Sequence, residues 1–319
     1  MNRLSKANLL SLLAGTALCG AVLVQGAMAQ ETDAAPLAAG TPLGAVSESG
    51  EATVMSPNVK VFGSFHFTES CTFDPERNLI LSMNLGNFET EEGRPRDGFV
   101  SLINPDGSVH TAKWIGRGLG GVTLNNPIGS AIAGGTLYTV DGTSVLSFDL
   151  KTGEALNSFP VEGATFLNGI AVGADGTAYA SNSRQPHKIY KVTSHGKASV
   201  FAEGDELKAP NGVAMDREGN VVVVNMGNNA VLTYDTKGKL LRTEHAVESG
   251  NDGVVVTEDG TKYTSSVEFG SVSRIRPGEE GEIIASGIPS AASMCYDSTQ
   301  NQLVIPLNPN NALAFISLE

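Results

Sequence analysis

One unit recurs along this chain at a spacing that few folds can use. Its clearest copy runs from Pro210 to His245, PNGVAMDREGNVVVVNMGNNAVLTYDTKGKLLRTEH. It reads as four short strands, GVAMD, NVVVVN, AVLTYD and KLLRTEH, broken by Arg217-Glu218-Gly219-Asn220, Gly227-Asn228-Asn229 and Thr236-Lys237-Gly238, all turn chemistry. With the Asn211 position as ruler, further copies start at Ile128, Asn168, Asp252 and Ala292, in steps of 40 to 43 residues. Glu69 starts a first copy 59 residues before Ile128, the excess lying mainly between Leu85 and Asp97, an insertion between strands two and three. A four-stranded unit repeated at this period is the signature of a propeller.

Six copies predict an all-β, six-bladed β-propeller with four-stranded antiparallel blades. The last copy has only three strands before Glu319, and an unassigned strand, VKVFGSFHF from Val59, lies ahead of the first. The simplest account is that this N-terminal strand closes the last blade, so that the ring has no open edge there.

Residues 1–29 read as a secretory signal. Arg3 and Lys6 form a basic start, Leu9 to Val24 an apolar run, and Ala27-Met28-Ala29 a cleavage site before Gln30. Cys19 follows Leu18, whereas lipid attachment favours a small residue there. Residues 30–57, rich in Ala, Gly, Pro, Ser and acids with no apolar period, read as a disordered leader. The propeller domain is therefore expected over 58–319, in an exported protein, periplasmic or secreted, with no membrane span after signal removal. The whole chain has 34 acidic against 21 basic residues and a net charge of −13. That balance argues against nucleic acid and anionic membrane surfaces as partners.

Two cysteines survive removal of the signal, Cys71 and Cys295, on the expected innermost strands of blades 1 and 6. Their offsets from the ruler have opposite parity, so they could face each other across the closed seam, and an exported chain permits a disulfide. Two unpaired buried thiols are the plainer expectation.

In an up-and-down blade, the start of strand one and the loop between strands two and three share one face. The ruler positions, Glu69, Ile128, Asn168, Asn211, Asp252 and Ala292, therefore converge around the central channel. Four carry oxygen donors, two carboxylates and two amides, with no thiol or imidazole. Oxygen-only ligands of charge −2 suit a hard divalent cation, Ca²⁺ before Mg²⁺, with Mn²⁺ or Zn²⁺ as further possibilities. Each Asn-Gly or Asp-Gly pair alone is explained by a turn. Glu69-Ser70 is a poor turn pair, and it falls in register with the others. The loops between strands two and three offer Asn84, Arg94, Arg96, Asn182, His187, Asn225 and Glu268 as candidate contacts to a small-molecule substrate, with the long insertion of blade 1 as a lid. His245, just before the blade-5 entrance, is an outside candidate for proton transfer.

These residues resemble a known family. Glu69-Ser70-Cys71-Thr72-Phe73 is similar to the Glu-Ser-Pro-Val-Trp start of the regucalcin/gluconolactonase group of six-bladed propellers, with Cys-Thr-Phe in place of Pro-Val-Trp. Pro210-Asn211-Gly212 and Asn251-Asp252-Gly253 are similar to that group's Asn-Gly and Asp-Gly entrances. The resemblance implies one catalytic divalent ion held by Glu69, Asn168, Asn211 and Asp252, and hydrolysis of a lactone or related ester. Asp252, with one carboxylate oxygen free, is then the candidate general base.

Two other classes remain to be weighed. A non-enzymatic propeller resembling NHL-repeat proteins, acting as a binding or scaffold module, needs no ion at the channel mouth. A strictosidine-synthase-like propeller works without a metal, and the four in-register donors speak against it. Neither a G-x-S-x-G elbow nor a phosphate loop occurs.

Overall fold

A computed structural model describes residues 56–63, 65–87, 97–116 and 122–318. The expected signal peptide, nearly all of the leader, and Arg94 and Arg96 lie outside the described residues.

The strands fall into six separate four-stranded antiparallel sheets, with no helix among the described residues. Five sheets are built from four consecutive strands each, spanning 68–115, 127–160, 167–203, 210–245 and 251–285. The sixth pairs Cys295–Asp297, Gln302–Leu307 and Ala312–Ser317 with the N-terminal strand Val59–Gly63, which takes the outer position in register Val59↔Ile316 to Gly63↔Ala312. Each innermost strand touches the next around the ring, and that of blade 1 touches blade 6. The six-bladed propeller closed by its N-terminal strand is thus observed.

The core is distributed over the seams between blades. Six clusters of buried apolar side chains occur, one for each pair of neighbouring blades, including the pair formed by the last and the first. The second strand of blade 4 shows why its sequence is an unbroken run. Val221 and Val223 belong to the seam with blade 3, Val222 and Val224 to the seam with blade 5, and all four have no exposed surface. Side chains alternate across a strand, so one covered on both faces must be apolar at every position. The outermost strands, such as Ala155–Pro160 and Leu240–His245, are mostly exposed and mix apolar with polar residues.

At the seam between blades 6 and 1, Cys71 and Cys295 form a disulfide (S–S 2.06 Å, Cα–Cα 5.4 Å). The expectation of two free thiols is therefore corrected. The opposite parity of the two offsets lets the side chains meet across the seam, and the closed ring brings their strands side by side.

Candidate active site at the channel mouth

The ruler residues of the first five blades stand second in their innermost strands, which begin at Thr68, Pro127, Leu167, Pro210 and Asn251. In all five, the pairing with the second strand shifts register at that point: the ladder skips between Thr68 and Ser70, Pro127 and Ser130, Leu167 and Ile170, Pro210 and Val213, and Asn251 and Val254. A bulge releases a residue from strand alternation and re-aims its side chain. Here it frees the ruler residue of each blade. Blade 6 differs: its innermost strand begins only at Cys295, and Ala292 is fully buried.

The residue after the ruler is small for a packing reason. A Cβ at Gly129, Gly169 or Gly212 would collide with the backbone of the next blade's innermost strand, at Asn168, Asn211 and Asp252 respectively, and one at Gly253 with the backbone of Met294, just ahead of blade 6's innermost strand. In blade 1 this place is Ser70, whose hydroxyl donates to the Ile128 carbonyl. Second-strand hydroxyls tie the same level together. Ser181 accepts from the Gly169 N–H (2.8 Å) and donates to the Asn211 carbonyl (2.5 Å), and Ser265 joins Gly253 to Ala292 in the same way (2.8 and 2.6 Å). The Asx-Gly pairs are thus places of close contact between blades, which a turn reading alone does not require.

Glu69, Asn168, Asn211 and Asp252 all line one cavity of about 550 Å³, together with Ile128. All four are buried, at 4–8 % exposure. Burial, and then the charge of Asp252, push the Glu69 carboxyl well above its ordinary range. Burial also pushes Asp252 up to about 7, against a hydrogen bond from Asn211 that lowers it. Two carboxyls desolvated beside each other with no basic partner disfavour their own ionisation.

The donor chemistry of this set fits a divalent cation. The Oδ1 atoms of Asn211 and Asp252 are buried with no hydrogen-bond partner among the described residues, a costly condition unless something else engages them. Among the described residues no three His, Cys, Asp or Glu side chains group as metal ligands. The fit therefore depends on amide oxygens joining two carboxylates, a hard, all-oxygen set.

The other expected site residues are placed differently. Asn84, Asn182 and Asn225 are fully buried, do not line the cavity, and form a repeated clamp. Each ends the second strand of its blade and accepts backbone N–H groups from the segment leading into strand one. The His66 N–H donates to Asn84 (3.1 Å), those of Thr165 and Phe166 to Asn182 (2.8 Å each), and that of Lys208 to Asn225 (3.1 Å). Asp141 does the same in blade 2 for Asn125 and Asn126 (2.7 and 2.9 Å). These amides are spent on the backbone, which corrects their reading as substrate contacts. His187 accepts from the Ala209 N–H (3.2 Å) and lines a separate cleft with Lys188 and Glu203. Glu268 is exposed beside Ser249, and His245 ends an outermost strand, away from the cavity.

In blades 1, 3 and 4 the residue one place beyond the clamp reaches the cavity, whereas Gly142, beyond Asp141 in blade 2, does not. Leu85, Ser183, Met226 and Val267, with Asn308 in blade 6, line it, joined by Phe67, Phe166, Arg184, Ser290 and Pro309. Strand alternation carries the signal: if the last residue of the strand points into the seam, the next is turned from it. Phe67 and Ser290 hold left-handed backbone (φ 48° and 52°), as do Ala209 and Gly250 in front of blades 4 and 5. For a bulky residue such as Phe67 that conformation costs about 1–2 kcal/mol.

Comparison with known proteins bears on this geometry. A family model described as the SMP-30/Gluconolactonase/LRE-like region matches residues 127–248. No curated protein matches the sequence. Among solved structures, a gluconolactonase from Xanthomonas campestris superposes with a TM-score of 0.58 at 18 % identity, covering 82 % of this chain and 91 % of that one. A catalytically inactive virginiamycin B lyase from Staphylococcus aureus, with quinupristin, gives 0.56 at 12 % identity (83 % and 100 % covered). A streptogramin B lyase gives 0.54 at 14 % identity (83 % and 88 % covered). At such identities these neighbours share the fold, and their differing names illustrate that fold alone does not select a reaction. The protein is a six-bladed β-propeller whose blades 2 to 4 match the model of the SMP-30/gluconolactonase/LRE-like region.

Proposed function

We propose that the protein is a divalent-cation-dependent hydrolase of the lactonase type, exported to the periplasm or the medium after loss of residues 1–29. The observation that carries this reading is the gathering of two carboxylates and two amides, two of their oxygens buried and unpartnered, in the wall of one cavity. The Cys71–Cys295 disulfide supports an oxidising compartment.

Glu69 and Asp252 supply the negative charge that holds the cation, Ca²⁺ as first choice, and Asn168 and Asn211 add neutral oxygens. When bound, the ion would supply Lewis-acid polarisation of the substrate carbonyl. The rest falls to the chain. The Asp252 carboxylate oxygen left free takes a proton from the attacking water as oxygen bonds to the carbonyl carbon. As the ring C–O bond breaks, that proton passes to the departing alkoxide, giving a hydroxy acid. Apolar neighbours around the four donors keep bulk water away from the exchange.

Calorimetric titration of the metal-stripped mature protein with Ca²⁺, beside an Asp252→Ala variant, tests the site. One-site binding that weakens at least about a hundredfold in the variant, followed by turnover in a lactone and ester screen, is the expected result. Silence of the wild type toward Ca²⁺, Mg²⁺, Mn²⁺ and Zn²⁺ alike would overturn the proposal. It would leave a binding or scaffold propeller whose Asx-Gly pairs serve only blade packing.

A further inference from the structure

The wall above the four oxygen donors is chemically one-sided. Phe67 and Leu85 come from blade 1, Ile128 from blade 2, Phe166 from blade 3, Met226 from blade 4 and Val267 from blade 5. Every one of the first five blades thus gives the cavity an aliphatic, thioether or aromatic side chain. Blade 6 adds Pro309.

Polar groups are few and largely occupied. The Ser183 hydroxyl donates to the Pro210 carbonyl (2.6 Å), and that of Ser290 donates to Asn308 Oδ1 (3.2 Å). Arg184 is the only basic side chain lining the cavity among the described residues, and its guanidinium lies over the Phe166 ring, 4.3 Å from the centroid. Asn84, Asn182 and Asn225, which could have offered amides to sugar hydroxyls, do not line the cavity and are engaged by backbone groups and by the side chains of Ser101, Thr165 and Asn228.

A polyhydroxylated ring needs a donor or acceptor for nearly every hydroxyl it buries, because each left unpaired forfeits the hydrogen bonds it had in water. Among the described residues this wall has no such set to give. An alkyl or aryl group, in contrast, gains from every methylene it places against Phe67, Leu85, Ile128, Phe166, Met226 and Val267. The left-handed backbone at Phe67 points the same way. A glycine or asparagine would hold that conformation with less strain, yet the position carries a large apolar ring at the cavity.

We propose that the substrate is a lactone or ester bearing an apolar alkyl or aryl substituent, and not a polyhydroxylated sugar lactone. The substituent lies along the apolar wall formed by blades 1 to 5, with its carbonyl over Glu69, Asn168, Asn211 and Asp252. This inference rests on the lactonase reading of the site, and its test separates the two.

Cation-loaded protein is assayed against δ-gluconolactone and against δ-lactones whose alkyl tail is lengthened one methylene at a time. The expected result is a kcat/KM that rises about fourfold per methylene until the wall is filled, and that exceeds the sugar lactone's at least tenfold. Met226→Gln, similar in size, should flatten the chain-length dependence while leaving cation affinity unchanged. Turnover of the sugar lactone equal to or faster than that of the alkyl series overturns the inference. Should no lactone be hydrolysed at all, the lactonase reading fails, and the wall is judged by binding alone. The matching alkyl δ-lactams, which resist hydrolysis, are titrated into wild type and Met226→Gln by calorimetry. Affinity that grows with tail length and falls in the variant upholds an apolar ligand. No binding, or equal binding of a polyhydroxylated lactam, rejects it.

Discussion

Glu69 and Asp252 are two acids held out of water side by side, which makes the site a source of instability in the folded chain. Both carboxyls titrate higher in the folded chain than an exposed acid does. In the metal-free protein the native state therefore keeps protons that the unfolded chain has already released. Stability then falls as pH rises from about 4, the unfolded range, with the Asp252 contribution lost through about 7 and that of Glu69 lost in the same direction. Asp252→Asn removes one charge while keeping the shape. At pH 8 the metal-free variant should melt roughly 2–4 °C above the metal-free wild type for each kcal/mol of repulsion relieved, and the gap should close near pH 4. Added Ca²⁺ should reverse the order, raising the wild type well past the variant. Calorimetric melts at the two pH values, with and without Ca²⁺, check all three statements. Glu69, Asn168, Asn211 and Asp252 were legible in the sequence because one ruler position recurs in register. The cavity lining was not, because Asn84, Asn182 and Asn225 are polar residues at strand ends and look like loop ligands. The hydrogen bonds show that they are held by neighbouring groups, and the cavity lining shows that Leu85, Ser183 and Met226 beside them reach the cavity.

At the level of the strand, the clamp sets where each blade presents its ruler residue. Asn182 holds the Thr165 and Phe166 N–H groups, and through its own amide the carbonyls of Arg184 (2.8 Å) and Pro186 (2.7 Å). Asn182→Ala leaves these part-buried backbone groups without their partner. The expected cost is about 1–3 kcal/mol, that of one unmet group, because Thr165, Arg184 and Pro186 are exposed and water reaches their backbone. Asn182→Asp should be milder, because it keeps the acceptor and Asp141 fills the equivalent place in blade 2. Urea unfolding of the two variants would show this order, and the reverse order would mean that the donor side of the amide dominates. The four-strand pattern of each blade was readable from turns and alternation. The bulges were not, since an extra residue in one strand leaves no mark on composition.

For the whole molecule, two links close the ring between blades 6 and 1: the disulfide and the outer strand Val59–Gly63. The strand was foreseeable, because the last repeat lacks one of its four strands. The disulfide was not, because sequence parity permits contact between two cysteines without deciding whether they join. The bond spans 224 residues of sequence, so reducing it frees a large loop in the unfolded chain. Loss of the bond should lower stability by about 2–5 kcal/mol, yet leave a folded propeller, because the strand pairing and the apolar seam remain. Thermal melts of oxidised and reduced protein, and of Cys295→Ser, test this. Coincidence of all three curves would show that the bond contributes nothing beyond the strand.

The same closure sets a timetable. On the ribosome, the strand at Val59–Gly63 emerges before any blade, while its partner Ala312–Ser317 and the second cysteine emerge only after all the others. Contacts so distant along the chain form late. Until then the growing array has two unfinished ends, and the innermost strand that carries Glu69 lacks its neighbour in blade 6. Glu69 and Asp252 can settle into their final arrangement only after blade 6 has formed, so a chain cut short ahead of it would carry both carboxylates without the full cavity wall.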